Sequence, residues 1–219
     1  MGDVIHALPV ASAIHRAWPL TRITWILDPR WSDLLEGNPA IAKIHPFPRQ
    51  DFQGLGGAIR ALRWYRGLRS LDADAVVDLQ CLLRSALMAA CSGSRMVVGL
   101  GDAREGAGFF YSRSVPVGKD EHAVNRYLRV LPALGIPLPE TLEWAIPRGL
   151  RPADLMTNEP YIVLHPFSRG EGKSLSPEAI GFFIRAFREK SAMPIVLAGA
   201  PRNLPDFGPD VMDLLAYLC

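Results

Sequence analysis

Short β-branched runs alternate with stretches of helical period along most of this chain, and that alternation restricts the fold more than any other feature. Strand character falls at Arg22 to Leu27, stopped by Asp28-Pro29, then at Ile41 to His45, Asp74 to Leu79 and Arg95 to Gly99. It returns at Tyr161 to His165 and Pro194 to Ala198. Between these runs, Val4, Leu8, Ala11, Ile14 and Trp18 recur at steps of three and four, the period of a helix laid on a sheet. Further helices are expected over Gly54 to Leu71, Leu82 to Cys91 and His122 to Leu134, the last closed by Gly135 as a C′ glycine. Ser176-Pro177-Glu178 supplies a cap, a first-position proline and a first-turn acid for another, running to about Lys190.

Repeated βα units imply an α/β protein of doubly wound, Rossmann-like domains. Proline-rich sequence of weak periodicity interrupts the repeat, so residues 1–145 are expected to form a first domain, 146–158 a linker and 159–219 the start of a second. That second domain shows two strands where such a fold needs about five, so it is expected to be incomplete. At the other end, Met1-Gly2-Asp3 looks like a turn between a strand and a helix, yet no strand stands before it.

Composition closes several routes. Charged residues make up 21% of the chain, and no apolar run nears the ~20 residues of a membrane span. The N-terminal stretch has no basic region of the signal-peptide kind, so a cytoplasmic protein is expected. Three cysteines, Cys81, Cys91 and Cys219, make no C-x-x-C pair and suit a reducing compartment. A net charge of +2 gives no reason to expect nucleic acid.

Three features could carry chemistry. Between the strand at Tyr161 and the helix at Pro177, Ser168-Arg169-Gly170-Glu171-Gly172-Lys173 combines glycine amides, a hydroxyl and a lysine ahead of a helix N-terminus, the parts of an anion cradle. A nucleoside-triphosphate P-loop would need glycine in place of Phe167, which leaves a diphosphate or a solvated charged loop as readings. Asp3 is the second feature, either a helix N-cap or a carboxylate able to accept a proton from a hydroxyl nucleophile. The third is arginine. Arg60, Arg63, Arg66 and Arg69 recur at steps of three and wrap around their helix, so only neighbours such as Arg60 and Arg63 could share one anion, and a solvated helix face is the alternative. Arg104 lies in the glycine-rich loop Gly101 to Gly106, at a strand end where open α/β sheets place ligands. The histidines His6, His15, His45, His122 and His165 show no ligand spacing, and no metal is expected.

Taken in order, Met1-Gly2-Asp3-Val4-Ile5-His6-Ala7-Leu8-Pro9, Asp78-Leu79-Gln80-Cys81-Leu82-Leu83-Arg84-Ser85, Ala103-Arg104-Glu105-Gly106, His122-Ala123-Val124-Asn125-Arg126 and the Ser168 to Lys173 loop resemble the heptosyltransferases of glycosyltransferase family 9. The resemblance implies the GT-B fold, with an N-terminal acceptor domain and a C-terminal nucleotide-sugar domain. It also implies inverting, metal-independent transfer of a heptose or related sugar from an ADP-sugar to an acceptor of the lipopolysaccharide-core type, with no cofactor. In that scheme Asp3 is the base, and Lys173 with Ser168 holds the departing diphosphate. Arg104 and Arg126, with Arg84, Arg60 and Arg63, meet the phosphates and acidic sugars of the acceptor. A monomer working at the cytoplasmic face of the inner membrane is expected, without a span.

The chain departs from the family in four places. The family's first strand and its later Asp-[Ser/Thr]-Gly-x-x-His segment have no counterpart, so a reading frame clipped at both ends is expected. A catalytically inactive fragment that at most binds anionic glycans is the alternative. Cys81 stands where glycine is usual, and Phe167 where a small hydroxyl residue is common, a change expected to weaken diphosphate contacts.

Overall fold

The computed structural model describes residues 1–54, 56–149, 155, 159–167, 173–199, 204–208 and 211–213. The chain divides into two compact units, Met1–Arg148 and Gly149–Cys219.

In the first unit, α1 (Gly2–Ala17) precedes β1 (Ile23–Leu27) and β2 (Ile41–Pro46), which pair in parallel. Then come α2 (Gly57–Gly67), β3 (Ala75–Asp78), α3 (Leu83–Cys91), β4 (Met96–Leu100) and β5 (Arg113–Val115). β3, β4 and β5 form a second parallel sheet in that order. α4 (Ala123–Leu128) and α5 (Val130–Ala133) follow, and α1 packs on both. Parallel strands covered on both faces need continuous apolar runs, and β4 shows this with Val97 to Leu100 all buried. Helix α1 serves both sheets. Its Ala7, Val10 and Ala13 join the core over β4, α4 and α5, while its Leu8 packs with Leu27 and Leu35 beside β1. Trp25 of β1 touches both cores.

The helix expected over Gly54 to Leu71 is shorter, because Gly54 lies in the left-handed region (φ 74°) and the last turn tightens into a 3-10 helix, Leu68–Leu71. The helix expected from His122 to Leu134 is broken at Arg129, where Pro132 has no N–H to give the carbonyl four residues back. Its end does follow the sequence: Gly135 has φ 83°, and Ile136 N–H reaches the Leu131 carbonyl at 3.0 Å, which closes a Schellman motif. Pro9 sits inside α1 and leaves the Ile5 carbonyl without its usual donor, a cost offset by the ring's full burial.

In the second unit β6 (Ile162–Leu164), β7 (Ile195–Leu197) and β8 (Val211–Asp213) are parallel in that order. The sequence reading of two strands is corrected to three among the described residues. α6 (Pro177–Arg188) begins at Ser176, whose hydroxyl accepts from Ala179 N–H at 3.2 Å, with proline at its first position. Ile180 and Ile184, one turn apart, bury its inner face against Ile195 and Leu197.

Candidate functional site

In the first unit Asp78, Arg84, Asp102 and Arg104 lie at or just beyond the C-terminal ends of β3 and β4, where parallel sheets present their loops. Asp3 lies in the first turn of α1, exposed. The helix is capped at Met1, and no side chain caps it, so the N-cap reading of Asp3 is corrected. Its negative charge reaches α4: the buried Tyr127 phenol is pushed up, first by burial and then by the charge of Asp3. His6, one turn beyond Asp3, meets His122 edge to face at 5.6 Å. The His122 Nδ1 accepts from Val124 N–H at 3.4 Å and caps α4.

Next to Tyr127, Arg126 forms a two-pronged pair with Asp102, at 2.8 Å from Nε and 2.7 Å from Nη2. The hydrogen bond from Arg126 holds the Asp102 carboxyl below its usual range, and the guanidinium pKa is raised in turn by Asp102. Arg126 also lies over the Tyr127 ring, 5.5 Å from its centroid. Asp102 carried no signal in the sequence reading, because only the fold brings it to a partner 24 residues away.

Arg104 is exposed and its side chain makes no hydrogen bond among the described residues, while its backbone N–H donates to the Cys81 carbonyl at 2.9 Å. Arg84, in the first turn of α3, gives Nη2 to Gln80 at 3.2 Å and stacks on Phe47, 5.5 Å from the ring centroid. Its Nε is buried without a partner. Arg60 turns back to the carbonyls of Asp51 (2.7 Å) and Gln53 (3.1 Å), whereas the exposed Arg63 side chain makes no hydrogen bond among the described residues. Thus the spacing that put Arg60 and Arg63 on one anion is not met by two free guanidiniums: Arg60 already bridges two carbonyls. Cys81 has φ 57°, which gives a physical reason why glycine suits this turn. Its thiol is pushed up by burial, which makes it a poor nucleophile.

In the second unit Lys173 is exposed just ahead of α6, and Leu175 N–H closes the loop onto the Pro166 carbonyl at 2.9 Å. Ser168 lies outside the described residues. Phe167 is 6% exposed and packs with Ile180, Ile184 and Leu197. Its side chain belongs to the core of the unit. Glu178, in the first turn of α6, is held below the usual carboxylate range by the Ser176 hydroxyl.

Residues 61–201 match the model of glycosyltransferase family 9, described as heptosyltransferase. The chain belongs to glycosyltransferase family 9. Among curated members, lipopolysaccharide heptosyltransferase 1 of Pseudomonas aeruginosa is 34% identical over 172 residues, covering 74% of this chain and 48% of its own. The lipopolysaccharide core heptosyltransferase OpsX of Haemophilus influenzae is 25% identical over 64% of this chain and 39% of its own. The chain therefore spans about half the length of the curated family members it matches.

Among solved structures, Escherichia coli heptosyltransferase WaaC with ADP superposes with a TM-score of 0.73 at 23% identity, covering 92% of this chain and 66% of its own. The family 9 glycosyltransferase from Veillonella parvula gives 0.71 at 18%, covering 91% and 60%. The fold is accordingly the α/β GT-B type of the family, with parallel, Rossmann-like sheets. Among the described residues no three His, Cys, Asp or Glu side chains converge to hold a metal ion, and no helix is long and apolar enough to cross a membrane.

Proposed function

We propose that this chain is part of an inverting, metal-independent glycosyltransferase that moves a heptose or related sugar from an ADP-sugar to an acceptor of the lipopolysaccharide-core type. The reading is supported by one observation above all: in a family 9 chain, α1, whose first turn holds Asp3, packs on α4, whose Arg126 joins Asp102 at 2.7 Å in the loop that carries Arg104. A carboxylate and cationic groups on neighbouring elements support the reading, since that pairing can hold an anionic acceptor and take the proton from its attacking hydroxyl.

In this mechanism Asp3 accepts the acceptor's hydroxyl proton as that oxygen bonds to the anomeric carbon and the ADP oxygen leaves from the opposite face. Arg104, exposed, without a side-chain hydrogen bond among the described residues and in the same loop as the Asp102–Arg126 pair, is placed to meet acceptor phosphate or carboxylate. Arg126 is fixed by Asp102, Arg84 by Phe47 and Gln80, and Arg60 by backbone carbonyls, so these shape the surface and its potential. Arg63 stands ready on α2. In the second unit Lys173, with Ser168, balances the growing negative charge of the diphosphate. Glu178 already puts a negative charge in the first turn of α6, so Lys173 carries more of this task than the helix terminus does. Work as a monomer at the cytoplasmic face of the inner membrane, where the acceptor is found, completes the proposal.

The test is direct. In the full-length protein, Asp3→Ala should abolish ADP release on mixing donor and acceptor while leaving ADP-sugar affinity within about twofold, and turnover equal to wild type removes Asp3 as the base. Lys173→Ala should weaken ADP binding about tenfold, the scale of one lost charge-assisted contact. Unchanged affinity counts against the cradle. Acceptor binding without any turnover in the unsubstituted chain would favour the alternative, an inactive fragment that retains anionic-glycan binding.

A further inference from the structure

The buried carboxylate of Asp78 takes no part in the transfer chemistry proposed above, yet groups from three segments of the arginine-bearing surface converge on it. At the end of β3 it is 5% exposed. Its Oδ1 accepts from the backbone N–H groups of Gln80 (3.0 Å) and Cys81 (3.1 Å), which shapes the turn into α3. Its Oδ2 lies 2.9 Å from the Ser85 hydroxyl and 2.8 Å from the Tyr111 phenol. Ser85 in turn accepts from Leu82 N–H at 3.2 Å, so the carboxylate also orders the first turn of α3, which carries Arg84.

Tyr111 brings in the other loop. The chain leaves β4 at Leu100, carries Arg104 over the surface, and returns through the 3-10 helix Ala107–Phe110 to Tyr111. The Tyr111 ring lies against Gly99 so closely that a Cβ there would collide with it. The loop is thus tied at its return by Tyr111 to Asp78 and in its middle by Arg104 N–H to the Cys81 carbonyl. A third tie runs from Leu83 N–H to the Glu105 carboxylate at 3.2 Å. The two ends of the phenol–carboxylate bond therefore belong to the two segments that carry Arg84 and Arg104.

We propose that Asp78 and Tyr111 are positioning residues for the anion-binding surface: their hydrogen bond clamps the turn after β3 to the loop after β4, so that Arg84 and Arg104 are held at a fixed separation before an acceptor arrives. This rests on the reading of Arg104 as an acceptor-binding group and of Arg84 as part of the charged surface beside it. Holding them in advance spares the ordering cost that a loose loop would pay on binding, and so raises affinity without a contact of its own. A phenol-to-phenyl change tests the clamp with the core volume kept.

The experiment measures affinity of the 219-residue chain for a deacylated, phosphorylated lipopolysaccharide inner-core oligosaccharide by calorimetry at about 15 °C. Tyr111→Phe, Arg104→Ala and the double variant complete a cycle. Tyr111→Phe should weaken binding roughly three- to tenfold, the range of one hydrogen bond. On the Arg104→Ala background it should cost less than about twofold, because the guanidinium it positions is gone. An affinity equal to wild type with a lowered melting temperature would make the bond purely structural and overturn the proposal. So would equal losses on both backgrounds. If Arg104→Ala binds as wild type, the acceptor reading itself fails and the clamp falls with it.

Discussion

Cys81 offers a test in which two opposing terms can be weighed. It lies in the left-handed region at φ 57° and is 2% exposed, packed in the core that includes Val98, Leu100 and Tyr127. At an ordinary buried site, exchanging alanine for glycine loses one buried carbon, about 0.8 kcal/mol, and adds unfolded-chain entropy worth about 0.7 kcal/mol. Glycine should then be worse than alanine by ~1.5 kcal/mol. A Cβ in the left-handed region costs about 1–2 kcal/mol, which glycine escapes. The two terms nearly cancel here, so Cys81→Gly and Cys81→Ala should match within ~0.5 kcal/mol. Urea unfolding resolves this: with a slope of about 1–3 kcal/mol per molar, a 1.5 kcal/mol gap would separate the midpoints by ~0.5 M or more. A gap of that size in favour of alanine would refute the reasoning, since it would mean that no backbone strain is relieved at this turn.

Two further outcomes follow from the packing and the ion pairs. The hydrogen bond from Arg30 holds Asp28 down from an ordinary 3.8 to about 2, so its share of stability is present above pH ~4 and is lost as the pH falls through 2. Arg30 is 60% exposed, so solvent screening keeps that share small; Arg30→Ala should flatten the pH dependence of the urea midpoint between pH 4 and 2, and an unchanged slope would argue against the pair. Gly99→Ala drives a Cβ into a Tyr111 ring that is pinned by its 2.8 Å bond to Asp78. A loss of about 3 kcal/mol, seen as a melting temperature lower by ~6–12 °C, is expected, and a shift under 2 °C would show that the ring can move aside.

What could be read from the sequence was what local chemistry decides. Ser176-Pro177-Glu178 marks the start of α6 because cap, proline and acid act within one turn, and Gly135 marks the end of α5 because its φ is a local demand. β5 and β8 were missed for the opposite reason. Each has three residues, and each is a strand because a neighbouring strand offers it hydrogen bonds. The arginines show the same divide. Their number and rough placement were legible, but not that Arg126 is tied to Asp102 or Arg60 to two carbonyls, since those partners are fixed by tertiary approach. Phe167 was read as a loop residue from its neighbours in sequence, and burial placed it in the core. Tyr111 gave no signal at all, since its bond to Asp78 spans 33 residues.

Helix α1 is also a mechanical part. The described strands of the first unit fall into two sheets with no hydrogen bonds between them, and α1, with Trp25, packs into the cores of both. A rod clamped at its middle by two bodies turns their small relative displacements into motion at its tip, and Asp3 rides on that tip. Packing changes near Leu8 or Val10, a turn or more along the helix, would then act as a steering adjustment on the Asp3 carboxylate.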